Sequence, residues 1–79
     1  RSGRLDSLLS AQALADLDLF DRLQLEAVVE LCGSCTSIAD AGRRLFASSR
    51  TRRRVVNDTD RLKKYLSRFG LDWAAIHRA

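Results

Sequence analysis

From Ser48 the chain reads SSRTRRR, which places four arginines within the five residues Arg50 to Arg54. A guanidinium offers a planar fork of donors that fits guanine O6/N7 and phosphate oxygens, so this grouping is chemistry for a nucleic acid. Arg43 and Arg44 stand just upstream, and no carboxylate interrupts the stretch from Arg43 to Arg54. Asn57 follows, a residue type that can pair with adenine N6/N7. An ordinary exposed amide is an equal reading of Asn57. A solvated cationic surface is the plain alternative for the arginines, yet cations at a helix start oppose the macrodipole by about a few tenths of a kcal/mol each. Selection for stability alone would favour Asp or Glu there, so the cluster points to function.

The charge is divided along the chain. Of the 79 residues, Arg1 to Asp40 hold three basic and seven acidic side chains, while Ala41 to Ala79 hold eleven basic and three acidic. A polyanion would therefore meet one half of the molecule and be repelled by the other. No catalytic constellation accompanies the cations. The chain has no phosphate-cradling glycine loop and no nucleophile–base pair, and its carboxylates fall mainly in the acidic half. Cys32 and Cys35 form a C-x-x-C, but with His77 as the lone histidine they do not make a four-ligand zinc site. The expectation is a core Cys32 and a loop Cys35, both reduced in a cytosol, with His77 at an exposed helix end. No enzyme activity, metal, cofactor or small-molecule ligand is expected.

The elements that must position the arginines are helical. The length suits one small domain near the lower limit for a self-sufficient core, and the chain lacks proline and has few glycines. Residues 4–18 carry leucines loosely at helical spacing and predict one or two short helices, with Ser10 a candidate N-cap. Asp21 and Gln24 suggest a capping box, with Phe20 and Leu25 at staple positions and Gly33 as the stop, for a helix over 21–32. Ser37 and Asp40 cap a helix running through Phe46, in which Ala41 and Gly42 allow a close neighbour. Ser48 and Ser49 then cap a long helix. Its inner face reads Val55, Val56, Thr59, Leu62, Leu66 and Phe69, and its outer face Arg50, Arg53, Arg54, Asn57, Arg61, Lys64 and Arg68. Gly70 is the expected C-cap, and Asp72 caps a last turn holding Trp73 and Ile76. No stretch is long and apolar enough to span a membrane, and a start at Arg-Ser-Gly suggests a piece of a longer protein.

FDRLQLEAV at 20–28, DAGRRLFASSR at 40–50 and NDTDRLKKYLSRFGLDW at 57–73 resemble the C-terminal domains of RtcR-type, sigma-54-dependent activators of RNA-repair (RNA ligase and RNA 3′-phosphate cyclase) operons. More broadly the chain looks like a Fis-type helix-turn-helix, which commonly ends in a leucine-spaced helix closing with Gly-Leu, here Leu62, Leu66, Gly70 and Leu71. It departs from that pattern in the turn, where Phe46 or Ala47 replaces a glycine, and in roughly ten extra residues between Leu45 and Leu62 relative to a tight helix-turn-helix. Two placements follow. Either the recognition helix is extended and Arg50–Asn57 enters the groove, or the arginines form a loop and a helix at Asp58–Phe69 reads the DNA. The apolar run from Val55 and the acids Asp58 and Asp60 favour the first. The resemblance implies a parent with a ligand-sensing domain and an AAA+ ATPase outside this chain.

The expected fold is thus all-α, a small Fis-like bundle of four to six helices with a long recognition helix. Residues 1–36 would support and dimerise, and 37–79 would bind DNA. Arg50, Arg53, Arg54 and Asn57 are expected to contact bases, and Arg43, Arg44, Ser48, Ser49, Arg52, Arg61 and Lys64 to contact the backbone. Leu5, Leu8, Leu9, Leu14, Leu17 and Phe20 would pair two copies. The expected partner is double-stranded enhancer DNA, in a bacterial cytoplasm, at the nucleoid. Sigma-54 polymerase would be reached only through other domains. A helical protein-interaction module and an arginine-rich RNA binder are the rival classes.

Overall fold

A computed structural model of the chain describes residues 4–50 and 57–78, with the side chains of Ser49 and Arg50 excepted. Helix α1 spans Arg4–Leu8, α2 Ala11–Ala15, α3 Leu19–Ser34, α4 Ile38–Leu45, α6 Asp58–Ser67 and α7 Trp73–Arg78, while α5 is a single turn at Ala47–Arg50. The architecture is all-helical, with no strand among the described residues. Six helices and one isolated turn fit the expected small bundle.

Local chemistry sets three of the helix starts. The Ser10 hydroxyl accepts from the Ala13 amide at 3.1 Å, Ser37 accepts from Asp40 at 3.1 Å, and the Asp72 carboxylate accepts from Ala75 at 2.7 Å. Each satisfies an amide that the first helical turn would leave unpaired. At the other end of α6, Gly70 has φ +72°, and Leu71 N donates to Leu66 O while Gly70 N donates to Ser67 O, both at 3.0 Å. This is a Schellman closure, and the two leucines it brings together are both buried.

The core forms where α3 meets its neighbours. Leu25, Val29 and Cys32 of α3 are fully buried with Leu62 and Leu66 of α6, Ile76 of α7 and Leu5 of α1. At about 1.5–3 kcal/mol for each fully buried large aliphatic side chain, these residues carry most of the fold. The ends of the chain are clasped together. Arg4 donates from its backbone to Glu30 at 3.0 Å and from its guanidinium to the Ile76 carbonyl at 3.2 Å. His77 Nε2 lies 3.0 Å from the Cys32 carbonyl and its ring stacks on Trp73. His77 is thus exposed, as expected, but tied to the core.

Four expectations need correction. Helix α3 starts at Leu19 after Asp18, not at Asp21, which becomes a favourable acid in the first turn. Phe20 is 71 % exposed and staples nothing. Gly33 does not end this helix, which continues to Ser34; the Arg4 guanidinium packs where a side chain at Gly33 would stand. Cys35 caps the helix and turns into the core, 4 % exposed, rather than lying in an open loop.

A further correction, beyond those four, concerns the long helix. Asn57 has φ −134° and ψ 51°, outside helical space, and α6 begins after it. Asp58 and Asp60 occupy its first turn and Lys64 its last, the order the macrodipole favours. Starting the helix among the arginines would have opposed that dipole. The expected helix from Ser48 to Phe69 is therefore not continuous, and its inner residues Val55 and Val56 lie outside the described residues. Of the rest, Leu62 and Leu66 are buried, and Thr59 and Phe69 half-buried.

Candidate nucleic-acid interface

Helix α6 packs across α4 at a point where neither has a bulky side chain. A Cβ placed on Gly42 would sit 3.0 Å from the Asp58 Cβ and 3.2 Å from its carbonyl atoms. Gly42 and Ala41 are both buried, so the small residues of α4 do receive a close neighbour. That neighbour is the first turn of α6, and the contact fixes where Asn57 leaves it. Asp58 itself is 4 % exposed. It is a buried structural acid here, and its side chain is not open to the outer surface.

With Leu62 and Leu66 inward, the periodicity turns Asn57, Lys64 and Ser67 outward, flanked by Lys63 on one side and by Arg61 and Arg68 on the other; all six are exposed. Lys64 pairs with Asp60 at 3.0 Å across one turn. Such an exposed pair contributes only about 0.3–0.5 kcal/mol and gives way readily to a phosphate. Arg61 is held differently, with its guanidinium 4.0 Å from the centroid of the Phe46 ring. Arg68 lies against Tyr65 and Phe69, at 5.8 and 5.4 Å from their centroids. Stacking holds both arginines in place while leaving their donor edges available.

On α4, Arg43 and Arg44 are exposed and both reach Asp40, at 3.6 and 3.5 Å. Two cations share one carboxylate, so the helix end keeps net positive charge. Ser48 is exposed on α5. Ser49 and Arg50 belong to α5 by backbone, and Arg52, Arg53 and Arg54 lie outside the described residues. The structure therefore gathers Asn57, Arg61 and Lys64 on one surface, with Arg43 and Arg44 on the helix packed against it. Lys63, Ser67 and Arg68 join that surface without having been singled out as contacts. The signal for them was the register set by Leu62 and Leu66, once the helix is started at Asp58.

Tyr65 is the other unanticipated residue. Its hydroxyl donates to the Gln24 side chain of α3 at 3.3 Å, joining the two longest helices. Burial pushes its pKa up and nearby Asp21 adds to this, while Arg68 pulls it down. Cys32 is pushed up to about 11 by burial and by the neighbouring Cys35, so its thiol stays protonated at neutral pH. Among the described residues, no three metal-ligating side chains converge, and no helix is long and apolar enough to cross a membrane.

Of the six leucine and phenylalanine positions expected at a dimer contact, Leu5 is 2 % exposed inside the core and is not available to a second copy. Leu8, Leu9, Leu14 and Leu17 are half-buried against that core. Phe20 alone stands open, together with Leu19 and Leu23.

Residues 1–76 match the sequence profile of the family described as the RtcR C-terminal DNA-binding domain. The chain is also 51 % identical over 76 residues to the transcriptional regulatory protein RtcR of Escherichia coli K12. That alignment covers 96 % of this chain and 14 % of the relative, so the chain spans about a seventh of that protein's length. No solved structure matches it.

Proposed function

The chain belongs to the family of RtcR C-terminal DNA-binding domains, and from that premise we propose that it binds a specific double-stranded DNA sequence through helix α6. The observation that carries this reading is the two-sided character of that helix. One face is locked into the core and onto Gly42, and the other presents an amide and four cations. A helix held rigidly by one face and offered by the other suits insertion into the major groove, with α4 crossing the backbone, as in a helix-turn-helix.

In this reading Asn57, Arg61 and Lys64 approach base edges, and Arg43, Arg44, Ser48, Lys63 and Arg68 set the register on phosphates. Arg50, Arg52, Arg53 and Arg54, with Ser49, supply the electrostatic reach that draws in the duplex. This reading takes from the second of the two placements the helix that begins at Asp58 as the reader of the DNA. The parent protein is proposed to act as a homodimer at an upstream enhancer, in the bacterial cytoplasm. There it would activate sigma-54 polymerase at RNA-repair genes through an ATPase outside this chain.

The test is a binding titration against duplex DNA from upstream of such genes, compared with random duplex and with RNA over a range of salt. A specificity ratio of about 10³ or more with a steep salt slope is expected. Equal affinity for RNA, or none for DNA, would overturn the reading.

A further inference from the structure

Phe46 stands in the turn after α4, where the chain departs from the glycine of a Fis-type helix-turn-helix. Its backbone lies at φ −115° and ψ 28°. A negative φ is open to any residue, so this turn has no need of glycine and is free to carry a side chain. Phe46 N donates to the Gly42 carbonyl at 3.0 Å, closing the last turn of α4, and the half-buried ring packs against the core. The Arg61 guanidinium lies over that ring, 4.0 Å from its centroid. Two contacts in step thus join the helices. Gly42 takes Asp58, and one turn further along each helix Phe46 takes Arg61. The neighbouring cations are held otherwise. Arg43 and Arg44 turn to Asp40, and Lys64 to Asp60, in exposed ion pairs that a phosphate displaces readily. Arg68 lies 5.4 and 5.8 Å from its two ring centroids, near the limit of about 6 Å for such a contact.

We propose that Phe46 is a positioning residue that sets sequence specificity, its ring holding the Arg61 guanidinium ready to pair with a guanine in the major groove. The inference rests on α6 as the DNA-reading helix and assigns the base that Arg61 takes. A ring contact engages the face of the guanidinium and leaves its N–H donors free, whereas an ion pair would occupy them. The planar fork of donors then matches O6 and N7 of guanine as a bidentate pair. A phosphate contact asks for charge more than for a fixed plane, so a stack beneath the cation would add little there. A free arginine gives up rotamer freedom on meeting a base, at a cost of roughly twofold to tenfold in affinity. Stacking at an exposed site is worth about two- to fivefold, enough to place most of that ordering in the free protein.

Titrations of variants against the specific duplex and random duplex test this, with guanines of the specific duplex replaced singly by 7-deazaguanine, which lacks the N7 acceptor. Phe46→Leu should weaken the specific duplex about three- to tenfold and leave the random duplex unchanged. Phe46→Tyr, which keeps the ring, should bind as the wild type does. One guanine whose replacement weakens the wild-type chain should cease to matter in Arg61→Lys, and should matter less in Phe46→Leu. Adding Phe46→Leu to Arg61→Lys should cost nothing further on the specific duplex, because the two residues act as one unit. The guanine scan on Arg61→Lys keeps the ring in place, so it stands even where leucine loosens the turn. Equal weakening of specific and random duplex by Phe46→Leu overturns the proposal. So does a loss in Phe46→Tyr as large as in Phe46→Leu, an additive loss in the double variant, or an Arg61→Lys chain that keeps every guanine dependence. Discrimination that falls with Asn57→Ala but not with Phe46→Leu overturns this inference alone and leaves α6 as the reader. A wild-type chain with no preference for the specific duplex overturns the functional reading, and the inference with it.

Discussion

Helices α3 and α6 face one another across the cleft lined by Val28, Leu31 and Leu62, linked by the Tyr65–Gln24 hydrogen bond, and they differ in what their outer faces offer. Helix α6 is amphipathic in the usual sense, apolar inward and charged outward. The outer face of α3 is apolar over most of its length, with acids at its edges. The inner faces are interchangeable in kind, since both supply leucines to one core. What separates the helices is chemistry the core does not need, so each outer face reports a partner. A charged outward face suits a polyanion, and an apolar one suits protein.

The contrast breaks first if the inner faces are not equivalent. Leu25→Ala and Leu62→Ala should each cost about 2–5 kcal/mol by chemical denaturation, while Leu23→Ser on the outer face should change monomer stability by no more than about 0.5 kcal/mol. A large loss at Leu23 would mean that the outer face of α3 already has a partner within the molecule. Gly42→Ala should come next, at about 1–3 kcal/mol in thermal melts. The new methyl must push α6 away at Asp58, and DNA binding should fall further than the stability loss explains.

Substitutions on the cationic side sharpen the contrast. If α6 reads bases, Asn57→Ala or Lys64→Ala should each cost about 1–3 kcal/mol on the specific duplex and much less on random DNA. Replacing Arg52, Arg53 or Arg54 by Ala should instead weaken all sequences alike and make the salt slope shallower by about 1 each. The reverse pattern would return base reading to the arginine segment. The smallest effect is alkaline. The folded chain keeps the Cys32 thiol neutral up to about 11, whereas in the unfolded chain it ionises near the ordinary 9.0. The stability this thiol contributes is complete below pH 9 and is lost as pH rises towards 11. Denaturation across that range should show the decline, and Cys32→Ala should flatten it.

The parts of this fold that the sequence discloses are those with short-range causes. Ser10, Ser37 and Asp72 cap as expected because the accepting oxygen and the amide it satisfies are three residues apart. Leu62, Leu66, Gly70 and Leu71 announce the end of α6 for the same reason. What escaped depends on contacts distant along the chain. Gly33 gives Arg4 the room to lie against α3, and Cys35 is buried by elements the local sequence does not mention. The break at Asn57 could have been inferred. Asp58 and Asp60 count against phosphate contact in the middle of a long helix, but their plainer meaning is a helix that begins there. The apolar periodicity from Val55 points to one long helix, whereas the dipole points to a start at Asp58. For the site, the residue types were legible well before their arrangement was, and Phe46 beneath Arg61 had no sequence signal beyond an aromatic at a helix end.

The clasp made by Arg4 has a consequence for the order in which this molecule assembles. Its backbone bond spans 26 residues and its guanidinium bond to Ile76 spans 72. Contacts so far apart in sequence repay their loop-closure entropy only after the intervening helices are in place. Helix α1 is therefore a late arrival, a latch that drops once α3 and α7 have met. By the same reasoning it is the first element to lift, so amide exchange in α1 should run ahead of that in α3 and α6. Losing the latch exposes Leu5 and the Gly33 end of α3, while α6 keeps its seat on Gly42. Wear on this domain begins at the side remote from its cationic face.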